Sequence, residues 1–454
     1  MENKTHSVFG EMRRYVAGID LAWRADHYVC GPRNEDGSHD IASFGTTTPE
    51  LYKMLKWLQE RKVESVAVES TSVYWIPTAD LLESKGIEVI LVDPREVRTV
   101  PGRKSDLKDC QWLQKLHSSG LLHGAFRPSE SIVAIRSILR EKETMTAMRT
   151  QSIQQMQKSL DQMNIRVHHA VSDIDGKTGT AIIKAIIDGE RDPVKLAKLR
   201  DKRCKQSERQ IADHLTGTWR PEHLFNLEQA FKTMQFLDER IAEYDRRVLE
   251  MFSALSATIE ESDEQKPSEP MPSRKQTHKE KKDVVGKEII RKIMKFNMPS
   301  IPGVGLESSF TLASELGNNF DRFPTEHHFV SYIGLAPSLG KSAGKNIRQR
   351  HKCKNTSRAG RTLRMCAATL YRSNTALGAY FRSVAGKTDR KTAVKATARR
   401  MAQIIYRGVK YGQSYIDSGQ VAYEAYLHDK TVKTISKLIK RHNISKLEIE
   451  NALT

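Results

Sequence analysis

The chain has 454 residues, too many for one ordinary core, so two or three domains are expected, each burying a core of its own. Lys and Arg outnumber Asp and Glu by 74 to 55, a formal charge of +19 that favours a polyanionic partner over a small neutral ligand. No apolar run approaches the roughly 20 residues that span a bilayer, MENKTHSVFGEMRRY lacks the apolar segment of a secretory leader, and the five scattered cysteines form neither a Cys-x-x-Cys pair nor a disulfide scaffold; no membrane partner is expected, and nucleic acid in a reducing cytoplasm is.

From Tyr15 to about Leu122 the pattern is mixed α/β. YVAGIDLAW, HYVCGPRNEDG and DIASFGT read as three short strands in succession, which predicts an antiparallel meander. A helix over 49–61, the buried-type strand VESVAVES, a helix through Leu82, the strand IEVILVD and a helix from near Ser105 follow. Strands alternating with helices predict parallel additions to the same sheet. From about Pro128 to Leu255 the chain reads as helical, with Met145, Met148, Ile153, Met156 and Leu160 at three-to-four spacing as in a helical hairpin or coiled coil, and a smaller helical cluster over 171–201 at its far end. Residues 257–287 are polar and charge-rich without apolar periodicity, the pattern of a linker or insert. Order resumes at FNMPSIPGVGLESSFTLASELG, and the tail after Tyr415 reads as short helices.

Carboxylates give the first domain its chemistry. Asp20 interrupts the apolar strand of G-I-D, Glu69 ends VESVAVE, and Asp106 and Asp109 occupy the first turn of the last helix, three positions apart and so neighbours on one face. Acids in a first turn ordinarily do no more than meet the helix dipole. An aspartate inside an apolar strand costs desolvation unless a partner or a metal compensates it, and Glu69 repeats the anomaly. If the first strand lies beside the later parallel one, the acids converge, and four such carboxylates need hard divalent cations to share them, Mg²⁺ or Mn²⁺. Two such ions about 4 Å apart activate an attacking oxygen and stabilise a leaving one at a phosphodiester.

The order G-I-D-L, V-E-S-T-S-V-Y, D-P-R-x-V and K-S-D-x-x-D resembles the DEDD transposases of the IS110/IS1111 group of insertion sequences. That resemblance implies a RuvC-like domain within the ribonuclease H fold and identifies Asp20, Glu69, Asp106 and Asp109 as its tetrad. Ser72 stands where the group has glycine after E-x-T, a departure in a turn and not at a ligand.

Residues 334–410 hold 19 Lys or Arg and one acid, Asp389, a density that reads as phosphate contact, with Lys341, Lys345, Arg348, Arg350, Lys352, Arg358, Arg361 and Arg364 as candidates. The same segment carries a glycine- and serine-rich loop, where Ser338, Ser342 and Ser357 are each a possible nucleophile and each equally a turn cap. GLAPSLGKSAGK followed by AGRTLR resembles the C-terminal transposase domain of the same group, in which Ser342 matches the serine that attacks DNA and forms a phosphoserine link, with Ser338 in reserve. Ala343 replaces the glycine usual after that serine. A serine hydroxyl needs activation before it attacks phosphate, and metals at the tetrad would supply it.

Ile301-Pro302-Gly303-Val304-Gly305 resembles a helix-hairpin-helix turn offering N–H groups to a phosphate; an ordinary turn before a core helix accounts for it nearly as well. The pairs His168–His169 and His327–His328 read as surface or phosphate contacts and not as metal ligands, because adjacent side chains diverge.

The domain reading is then a RuvC-like metal domain over 15–125, a helical hairpin and dimerisation region over 126–256, a linker over 257–287, a mostly α-helical serine-bearing domain over 288–415 and a helical tail over 416–454. The resemblance, which covers 15–411, further implies dimers or tetramers acting on element ends and target DNA, and a structured noncoding RNA that guides the choice of both. The competing readings are a RuvC-like endonuclease that uses the same tetrad with water in place of Ser342, and a non-catalytic nucleic-acid-binding protein.

Overall fold

The computed structural model describes residues 12–22, 25–70, 73–93, 106–122, 124, 129–204, 206–259, 278–337, 340–342, 345–347 and 357–444; for 106–108, 278–282, 340–342 and 345–347 it describes the backbone alone. Two compact units divide at Arg127 and Pro128.

In the first unit, strands β1 (Val16–Asp20), β2 (His27–Arg33) and β3 (His39–Phe44) form an antiparallel meander, and β4 (Ser65–Glu69) and β5 (Glu88–Val92) add in parallel on the other side of β1. The strand and helix pattern predicts this meander with its parallel additions, and the order β3-β2-β1-β4-β5 with this mixture of senses is that of a ribonuclease H-like sheet, the fold that the family resemblance implies. Period-two alternation sorts each strand into two faces. Ala17, Ile19, Val66 and Val68 join Leu51, Met54, Leu55 and Leu58 of helix α1 (Thr48–Glu60) and Leu82 of α2 (Trp75–Ser84) in one apolar core. On the opposite face lies α3 (Asp106–Ser118), whose Leu113 meets Ala67 and Val92 in a smaller cluster.

In the second unit, α4 (Glu130–Gln162) and α9 (Pro221–Ala257) pack along each other. The pairs Lys142–Asp245 (2.7 Å) and Arg149–Asp238 (2.5 Å) advance on one helix as they recede on the other, so the two are antiparallel. Their far end is closed by α5 (Val167–Ala170), α6 (Lys177–Ile187), α7 (Pro193–Ala197) and α8 (Glu208–His214) around Met156, Leu160, Ile182, Ile183, Leu227 and Phe231. Their near end, through Ile135, Val248 and Phe252, joins the largest core of the unit, built with α10 (His278–Met294), α11 (Leu306–Leu316), α12 (Glu326–Tyr332), α13 (Arg358–Ala368) and α15 (Arg390–Tyr411). Here α14 (Ala376–Lys387) packs on α15, and α16 (Gly419–His442) packs on α14.

Three details depart from the sequence reading. The methionine stripe is buried only towards its C-terminal end: Met156 is fully inside while Met148 is 46% exposed, and N-terminal to Met148 the seam holds charge. Buried Lys142 bridges Asp245 and Glu307 (2.5 Å), while Arg136 and Arg140 bind Glu315 at the end of α11. Secondly, α10 begins at His278, inside the stretch read as linker, because its apolar anchors Ile289, Ile290 and Ile293 lie downstream of a Lys- and Glu-rich run that is itself helix-forming. Thirdly, the tail forms one helix of 24 residues, since 420–442 contains neither glycine nor proline.

Candidate active site

Asp20 and Glu69 are the last residues of parallel neighbours. Val16 lies opposite Ser65 and Ile19 opposite Val68, so the next step of the same register sets Asp20 beside Glu69, on strands about 4.8 Å apart. The end of β4 is fastened to β5, because Ser70 donates its N–H (2.9 Å) and its hydroxyl (3.0 Å) to the carbonyl of Val92.

The seating of α3 decides what meets these two acids. Gly18 shares the face of Asp20, and a Cβ built on it would lie 2.3 Å from the Cys110 carbonyl oxygen and 2.4 Å from the Gln114 nitrogen, so the backbone of α3 rests directly on β1. Ser65 Oγ and His117 Nε2 are 2.9 Å apart at the start of β4. With His117 at the start of the strand and Leu113 beside Ala67, α3 runs antiparallel to β4 and sends its first turn to the carboxylate-bearing ends. The Cys110 thiol registers the result: burial above all, with the charges of Asp20 and Asp109 adding, pushes it up to about 11. Glu69 is 7% exposed and Asp109 half-buried at this end. The ends of β1 and β4 and the first turn of α3, which carry Asp20, Glu69 and Asp109, thus lie at the same end of the sheet, and Asp106 opens that helix with its side chain outside what is described.

Among the described side chains, no three of His, Cys, Asp or Glu form a preformed metal-holding group. The donor set at the strand ends is carboxylate oxygen, which suits Mg²⁺ or Mn²⁺ and disfavours metals that prefer nitrogen or sulfur.

In the second unit Ser342 ends strand β6 (Gly340–Ser342), which pairs antiparallel with β7 (Lys345–Ile347). Ser342 is opposed to Lys345, and Lys341 to Asn346. Ser338, Arg348, Arg350 and Lys352 lie outside the described residues.

The third serine has a structural duty. Ser357 Oγ accepts the Gly360 N–H (3.1 Å) as the N-cap of α13 and donates to the Ile333 carbonyl (3.1 Å). Of the three arginines on α13, Arg358 is ion-paired with Glu143 of α4, Arg361 is exposed and Arg364 is half-buried. Burial first, and then the charges of Arg140 and Arg361, lower the Arg358 pKa.

The turn at Gly303 is a packing feature. Its φ of +83° suits glycine, and a Cβ there would stand 2.8 Å from the Cys366 carbonyl, with Ile301 and Val304 buried on either side. His168 faces Asp161 at 3.5 Å and its ring lies 4.3 Å from that of His169, which in turn stacks at 5.8 Å on His214. His328 Nδ1 lies 2.8 Å from the hydroxyl of Thr325, the N-cap of α12.

The sequence reading missed Gly18. A glycine inside a strand signals close approach of another backbone, and G-I-D carried that signal two residues before the acid.

Residues 17–165 match the family model of the DEDD transposases of IS110, and residues 297–382 match that of the transposase IS116/IS110/IS902 family; between them the two cover just over half of the chain. No curated protein matches it.

Proposed function

The chain belongs to the IS110 family of insertion-sequence transposases, and from that premise we propose that it cuts and exchanges DNA strands with a site of two parts. Asp20, Glu69, Asp106 and Asp109 hold Mg²⁺ or Mn²⁺, and Ser342 supplies the nucleophile. The observation that carries the first part is the antiparallel seat of α3, which brings its first turn to the ends of β1 and β4.

When bound, such ions activate a hydroxyl and neutralise charge on a leaving oxygen. The four carboxylates bind and orient; the buried end of Glu69 limits competing water. Ser342 Oγ attacks phosphorus: the Oγ–P bond forms as one P–O ester bond of the DNA strand breaks, the serine proton leaves and the departing deoxyribose oxygen takes one up. The phosphoserine keeps the phosphodiester energy, so a hydroxyl of an incoming strand reverses the step at a new junction and frees Ser342 without hydrolysis. Lys341, Lys345, Arg348, Arg350, Lys352, Arg361 and Arg364 contact phosphates, and Arg358 joins them only by giving up Glu143. On the family likeness, the working unit is a dimer or tetramer joined through the helical stem, it acts in a bacterial or archaeal nucleoid, and an element-encoded noncoding RNA guides the choice of element ends and target.

The test is a denaturing gel of protein incubated with Mg²⁺, its co-purified RNA and a DNA junction made from element end and target. A covalent protein–DNA band is expected, lost in Ser342→Ala, and reduced at least about 10³-fold in Asp20→Asn and Glu69→Gln with DNA binding retained. Free 5′-phosphate ends from a fully active Ser342→Ala protein would replace the transposase with a water-using RuvC-like endonuclease. Undiminished function in both carboxylate variants would leave nucleic-acid binding alone.

A further inference from the structure

On α13 the buried residues Leu363, Cys366 and Ala367 face the core, and Arg358 is engaged by Glu143. At helical spacing on the outer side stand Arg361, Met365, Ala368 and, in the 3-10 turn Thr369–Arg372 that continues the helix, Arg372. Arg364, Ala368 and Tyr371 form the adjoining stripe and share Ala368 with the first. Each stripe therefore carries one large apolar group among guanidiniums. Met365 is 73% exposed between Arg361 and Arg372, which are about 17 Å apart along the axis. Tyr371 is 45% exposed, braced edge-on by Phe381 at 5.9 Å, with the Arg390 guanidinium 5.3 Å from its ring centre.

Single exposed apolar side chains are ordinary on a protein surface. Two of them, on adjoining stripes of one helix and bracketed by arginine, are a different case. The only acid between residues 334 and 410 is Asp389, and its carboxylate is occupied in capping α15 through the Thr392 N–H (2.9 Å) and hydroxyl (2.6 Å). A protein or membrane partner would have to answer this charge with acidic groups of its own. A nucleic-acid strand answers it with phosphates and offers base faces to the Met365 and Tyr371 surfaces. Unpaired bases expose those faces and a duplex hides them, and strand exchange requires strands to part.

We propose that the outer face of α13, through Met365, Tyr371, Arg361 and Arg372, with Arg390 holding the tyrosine ring, is a docking platform for the unpaired DNA strand next to the cut. This rests on the reading of the second unit as the serine-bearing half of a DNA strand-exchange site. Arg361 and Arg372 bind phosphates, and Met365 and Tyr371 receive bases.

The test uses full-length Ser342→Ala protein without Mg²⁺ and a fluorescein-labelled single strand of mixed sequence beside its duplex, followed by fluorescence anisotropy across a salt series. Met365→Ala and Tyr371→Ala are expected to weaken single-strand binding about fivefold or more each, with duplex binding within twofold of the parent, and Tyr371→Phe to restore it. Arg361→Gln with Arg372→Gln should lower the single-strand salt slope by about 1.4. A single strand carrying 5-iodouracil should cross-link under light to peptides containing Met365 or Tyr371. Single-strand binding within twofold of the parent in both alanine variants, equal weakening for duplex, or cross-links confined to other peptides would each overturn the platform. Because Met365 is so exposed, its alanine variant has little fold to lose and remains informative if Tyr371→Ala unfolds. The covalent band of the junction assay reads Ser342 chemistry and this assay reads equilibrium binding, so either can fail while the other stands.

Discussion

The two faces of the five-stranded sheet are built from opposite materials. On one, Ala17, Ile19, Val66 and Val68 bury large side chains of α1 and α2. On the other, the same two strands present Val16, Gly18 and Asp20, and Ser65, Ala67 and Glu69, of which Val16 alone is a large apolar side chain. The first face is a core like any other, where burial of each large side chain is favourable by about 1.5–3 kcal/mol. The second allows a helix backbone to reach the strand backbone and brings carboxylates to one end. Separating the two functions by face means that a substitution on one side should strike stability and on the other chemistry.

Gly18→Ala tests the second face hardest. Its new methyl would fall 2.3 Å from the Cys110 carbonyl, a backbone atom that cannot swing away as a side-chain tip can, so α3 must shift and carry Asp106 and Asp109 from the strand ends. Covalent-band formation should disappear, and the first unit should lose about 3 kcal/mol or more. A Gly18→Ala protein with normal adduct yield would show that the seat of α3 is not what aligns the acids. Leu58→Ala, on the other face, removes a fully buried side chain of α1. The expected cost is about 2–5 kcal/mol by denaturant titration, with adduct formation unchanged at temperatures where the protein is folded. A Leu58→Ala protein that stays folded but no longer forms adduct would erase the division of labour.

Much of the first unit was legible because its strands are apolar runs and its key acids interrupt them: Asp20 stands out where hydrophobic residues are expected. The direction of α3 was less legible. It is set by a contact between two backbones at Gly18 and by the Ser65–His117 pair, and neither leaves a periodic trace. The stem shows the same limit. A methionine stripe announces helices, yet the seam is pinned by the pairs of Lys142 with Asp245 and Glu307 and of Arg149 with Asp238, partners that lie 89 to 165 residues apart in sequence and cannot be paired from spacing. In the basic segment, composition marked the charge but not its direction: Arg358 turns to Glu143, while Met365, which no pattern singled out, is held in water.

The smallest expected effect lies at the other end of the polar face. Burial chiefly, assisted by the charge of Arg13 and opposed by that of Glu88, lowers the His117 pKa from 6.5 to about 4. In the unfolded chain the imidazole takes a proton near the ordinary value, so between the two values the unfolded state binds more protons than the folded one. His117 should therefore contribute its full stability above about pH 6.5 and lose it as the pH falls towards 4. Carboxylates of the unit titrate in the lower part of that window, so the informative quantity is the difference between wild type and His117→Gln, which keeps a partner for Ser65 Oγ without an ionisable ring. Denaturant midpoints taken from about pH 7.5 to about pH 4.5 should fall further for the wild type than for the variant. Parallel curves would mean that the ring accepts its proton inside the fold, and that the start of β4 is wetter than a face packed by α3 allows. A widening gap would mean that the polar face is as dry at its closed end as the apolar face opposite, and that polarity there reflects the close seat of a helix and not access to water.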